Sequence, residues 1–72
     1  GCVGEKLNNA YTNTQTTLQA GSYTIKDSNN NEIATFTLTQ SYRGFMFYDE
    51  RFNGNTTYTL YKDETKVLTF SK

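Results

Sequence analysis

From Gly21 onward the chain alternates. Tyr23 and Ile25 point one way along an extended backbone, while Thr24 and Lys26 point the other. That period of two marks a half-buried strand. Asp27-Ser28-Asn29-Asn30-Asn31 follows, a turn signal because Asn and Asp tolerate left-handed backbone conformations. The returning strand sets Ala34, Phe36 and Leu38 inward and Thr35, Thr37 and Thr39 outward. About 35 residues later the order recurs: Tyr58 and Leu60 inward, a turn at Asp63-Glu64-Thr65, then Leu68 and Phe70 inward. Gly21 and Tyr23-Thr24-Ile25-Lys26-Asp27 thus return, with small gaps, as Gly54 and Tyr58-Thr59-Leu60-Tyr61-Lys62-Asp63. Ile33-Ala34-Thr35-Phe36 returns as Val67-Leu68-Thr69-Phe70. The repeat predicts two similar β-hairpins with the same alternate positions facing in.

Between the hairpins, Gln40 to Gly44 leads into the longest apolar run, Phe45-Met46-Phe47-Tyr48. Phe45 and Phe47 share one face, with Met46 and Tyr48 on the other. Apolar residues on both faces predict a central strand, or a strand whose outer face meets something else. The charged stretch from Asp49 to Gly54 is expected to turn Phe52 back into the core. Residues 1–15 are polar and read as a tail or a first edge strand, and Thr16-Thr17-Leu18 as an edge segment. The domain proper is then 16–72, a small antiparallel β-sandwich or open barrel of five to seven strands.

Composition supports this reading. Thirteen Thr, six Tyr and five Phe suit pleated surfaces, and eight Asn suit turns. At 72 residues the chain is one domain near the lower limit for an unstapled core. Help from a partner, a dimer or a parent chain is therefore expected. Seven basic and seven acidic residues cancel, without the one-sided basic surplus of a nucleic-acid binder. No stretch reaches the length of an apolar membrane span.

The acid–base chemistry of an enzyme is not visible. There is no His, the commonest general acid or base. The paired carboxylates Asp49-Glu50 and Asp63-Glu64 are sequence neighbours that alternate faces on extended backbone, so no catalytic residue is assigned and a non-enzyme is expected. Asp27 to Glu32 resembles the opening of a calcium loop, but it lacks the glycine at the sixth place and the glutamate at the twelfth, where Leu38 stands. A turn without metal is expected there, and no cofactor. Cys2 is the sole cysteine, which excludes an intrachain disulfide; Gly1-Cys2 reads as an inert terminus or as a lipoprotein cysteine. Asn55-Thr56-Thr57 is a formal glycosylation sequon.

The aromatics point further. Eleven Tyr and Phe exceed what so small a core buries, and Tyr42, Met46, Tyr48 and Tyr61 fall on outward phases. With Arg43 beside them, they form the expected binding surface: Tyr42, Arg43, Met46, Tyr48 and Tyr61. Gathered exposed apolar groups mark interfaces, and an exposed flat edge strand also invites a homodimer.

From Thr17 onward, Ala34-Thr35-Phe36-Thr37, Ser41-Tyr42, Phe45-Met46-Phe47 and the ending Gly54 with Thr57-Tyr58-Thr59-Leu60-Tyr61 carry a resemblance. The chain resembles a C-terminal β module of secreted bacterial proteins described as carbohydrate-binding domain-containing, of clostridial type. The resemblance implies an extracellular or cell-surface interaction module attached to a carbohydrate-associated protein, with a polysaccharide or protein partner. Tyr48-Asp49-Glu50 stands where that family has Ser-Ser-Pro, so no binding residue is carried across. The expected function is a non-catalytic accessory domain, with glycan attachment or protein binding and self-association as its two forms.

Overall fold

The computed structural model describes residues 9–71, and they are all-β. Six strands form: β1 (Ala10–Leu18), β2 (Gly21–Lys26), β3 (Glu32–Leu38), β4 (Tyr42–Tyr48), β5 (Thr57–Lys62) and β6 (Thr65–Ser71). They make two antiparallel sheets, a two-stranded β1–β4 and a four-stranded β3–β2–β5–β6. The small sheet lies over the large one as a sandwich that does not close into a barrel.

The repeat builds the large sheet. In the first hairpin Tyr23 pairs with Phe36 and Ile25 with Ala34; in the second Tyr58 pairs with Phe70 and Leu60 with Leu68. Each ladder slips at the same place, between Ile25 and Lys26 and between Leu60 and Tyr61. The hairpins meet along β2 and β5, where Ile25 stands opposite Leu60, its own counterpart. A local two-fold axis therefore passes between these two side chains.

The turns follow the local chemistry. The Asp27 carboxylate accepts the backbone N–H groups of Asn29 and Asn31, both at 2.9 Å, and Asn30 takes a left-handed φ of 67°. This is a turn satisfied by its own side chain. Asp63 and Glu64 both have positive φ, 48° and 70°, the two-residue form whose twist matches that of the flanking strands.

Leu18, Tyr23, Ile25, Phe52, Tyr58, Leu60 and Phe70 form the buried core. Each contributes roughly 1.5–3 kcal/mol on full burial. Phe52 enters from residues 49–56, as expected, and sits 4.8 Å from the Tyr58 ring, centroid to centroid. The two buried hydroxyls are satisfied: Tyr23 donates to the Gln19 carbonyl, and Tyr58 accepts from the Asn53 N–H at 2.6 Å. Among the described residues no buried side-chain polar atom lacks a partner.

β1 begins at Ala10 and pairs with β4 alone among the described residues, so residues 10–15 take the edge-strand form expected as one alternative, in a strand that runs on through residue 16. Two expectations change. β4 is an edge, paired with β1 alone among the described residues, so the apolar run is not a central strand. Its outer apolar face is exposed at Met46 and Tyr48. Tyr42 stands opposite buried Leu18 and so takes the inward side. The cause is Gly44, whose φ of 82° shifts the alternation midway along β4 where β1 bulges between Asn13 and Thr17. Cys2 lies outside the described residues.

Candidate functional site

The small sheet lies off centre. On one side Tyr11 of β1 stacks on Phe70 of β6, ring centroids 4.4 Å apart. On the other, the counterpart of Phe70 is Phe36, which is only half-buried although it stacks on Tyr23 at 5.1 Å. The result is an apolar groove of about 550 Å³ between the edges of β3 and β4. Ala34, Phe36 and Leu38 form its floor on the large sheet, and Phe45, Phe47 and Tyr42 form its wall on the small one. Leu18 reaches it from above and Phe52 from the loop end.

Both rims are unpaired strand edges, since β3 pairs with β2 alone and β4 with β1 alone among the described residues. Asp49 donates its backbone N–H to the Asn9 carbonyl at 3.4 Å. Alternation along an antiparallel ladder then turns the N–H and C=O groups of Phe47 and Phe45 toward β1 and those of Met46 and Tyr48 toward the open side. The groove therefore offers both apolar side chains and free backbone hydrogen-bonding groups.

One end of the groove is charged. Asp49, whose side chain is 18% exposed, pairs with Arg51 at 2.7 Å, and the Arg51 Nε donates to its other oxygen at 2.8 Å. These hydrogen bonds from Arg51 hold the Asp49 carboxyl below the ordinary carboxylate value and raise the guanidinium in turn. The one carboxylate lining the groove is thus kept ionised and occupied. No set of three His, Cys, Asp or Glu side chains gathers into a metal site among the described residues.

The expected binding residues divide. Met46 is 60% exposed, Tyr42 45% and Tyr48 41%; all three border the groove, and Arg43 is exposed beside them. Tyr61 is elsewhere. It pairs with Thr24 on the outer face of the large sheet, with Lys26 Nζ 5.2 Å from its ring centroid, and is only partly exposed. The floor residues Ala34, Phe36 and Leu38 were legible as inward-facing but not as part of a surface. Nothing in their alternation says whether the facing layer extends far enough to cover them.

No helix among the described residues is long and apolar enough to cross a membrane. Compared with family models, with curated proteins and with solved structures, the chain matches none.

Proposed function

We propose that the chain is a non-catalytic binding module whose contact surface is the groove between β3 and β4. The carrying observation is one apolar groove whose two rims are strand edges unpaired among the described residues. Such a site favours an extended chain: main-chain hydrogen bonds give affinity and alternate side chains fill the gap. The Tyr42 and Tyr48 rings at its border favour a polysaccharide as the second reading, by stacking on sugar faces. That reading carries with it the extracellular setting that the resemblance implies.

The test is amide chemical-shift mapping of the isotope-labelled protein against extended apolar peptides and soluble polysaccharides. Binding is expected to shift Leu38, Phe45, Met46 and Phe47, and Tyr48→Ala to weaken it severalfold. Silence of these resonances toward every probe, or shifts confined to the Tyr61 face, would refute the groove as the contact surface.

A further inference from the structure

We infer that the occupant of the β4 edge is a second copy of this chain, paired antiparallel through β4 about Met46. The inference rests on the groove being the contact surface and names its partner. Edge strands are usually blunted by Lys, Pro, bulges or inward charges. Along the open side of β4, from Phe45 to Tyr48, there is no charge and no proline, and Met46 is the most exposed large apolar residue described.

The register follows from which groups face out. Three pairings match both faces and both sets of free amides over Phe45 to Tyr48, centred on Phe45, Met46 and Phe47, and the last sets Phe45 opposite the other copy's charged Asp49. The first sets Arg43 opposite the other copy's Phe47. The second brings Arg43 within one position of the other copy's Glu50, twice over by symmetry. Arg43 and Glu50 are both exposed, and neither takes part in an ion pair among the described residues. A parallel pairing would instead oppose like charges. Centring on Met46 also lays the Tyr48 ring over Gly44, which offers no side chain to obstruct it. Phe45 then faces Phe47 across the junction on the groove side. The two small sheets become one of four strands, in the order β1–β4–β4–β1, and each groove is roofed by the other copy.

Sedimentation equilibrium and amide hydrogen exchange test this on the whole chain. The expected result is a reversible monomer–dimer equilibrium in which the Met46 and Tyr48 amides slow as concentration rises. Met46→Lys, which opposes two like charges at the centre, is expected to weaken the dimer about tenfold or more. Arg43→Glu is expected to weaken it severalfold, and Arg43→Glu combined with Glu50→Arg to recover part of the loss. All three sites are exposed, so circular dichroism should show the fold intact. A monomer up to about 1 mM, where even weak pairs associate, would overturn the self-pairing. So would a dimer whose Met46 and Tyr48 amides exchange as fast as in the monomer. A monomer whose groove still shifts with peptide or polysaccharide removes the second copy and keeps the binding module. A monomer silent to both removes both.

Discussion

Leu60 shows how much one side chain carries in a domain of this size. It is fully buried, lies opposite Ile25 across the centre of the large sheet and pairs with Leu68 on its other side. Leu60→Ala leaves a cavity that neither strand can collapse into and is expected to cost about 2–5 kcal/mol. Thermal melts should show most of the stability gone, while Val67→Ala, on an exposed position, should shift the protein by less than about 0.5 kcal/mol. Equal effects from the two would refute the placement of the core. Asp49 sets a pH dependence. Its folded carboxyl lies below the ordinary 3.8, chiefly through the Arg51 hydrogen bonds, and Asp27 is lowered likewise, chiefly by the Asn31 backbone N–H. A lowered folded value means the ionised form is favoured by folding. That stabilisation is complete above the ordinary value and fades as pH falls through the folded one. Urea midpoints should therefore decline from about pH 5 to about pH 2, less steeply in Asp49→Asn. An unchanged acid slope in that variant would show that the pair contributes nothing.

At the scale of elements, the second turn carries removable strain. Glu64 is held at a φ of 70°, where a side chain costs about 1–2 kcal/mol, partly offset by the entropy a glycine would add to the unfolded chain. Glu64→Gly is expected to raise stability by about 0.5–1 kcal/mol, read as a higher urea midpoint with an unchanged slope; a lower midpoint would count against the turn assignment. Elements were the most legible feature of the sequence, because each hairpin joins period-two alternation to a turn with its own chemistry. Tyr23 and Ile25, and again Tyr58 and Leu60, are buried where alternation placed them inward. β4 was harder to read. Its alternation changes phase at Gly44, and a glycine in a strand does not reveal from sequence whether it is extended or left-handed. Residues 10–15 read as a tail or an edge strand alike because Thr, Asn and Gln dominate them. Tyr11 supplies the one large apolar anchor, 4.4 Å from the Phe70 ring. Layer assignment is a matter of contacts between distant segments, and no local pattern encoded which strands would end as edges.

For the whole molecule, stability should be graded from the middle of the large sheet outward. Hydrogen exchange is expected to be slowest at Tyr23, Ile25, Tyr58 and Leu60, which are buried and belong to strands with neighbours on both sides. In the dilute protein it should be fast at Met46 and Tyr48, whose amides face the open edge. Equal protection in β4 and β2 at low concentration would refute the open seam. The two-fold relation between the hairpins has a further consequence. A layer whose left and right halves are copies has no handed preference for where a ligand should sit. That preference enters only through the unrepeated part of the chain, since β1 and β4 shelter Phe70 and leave Phe36 half-bare. The duplicated half of the molecule is a neutral platform, and its lopsided cover decides which flank can be recognised.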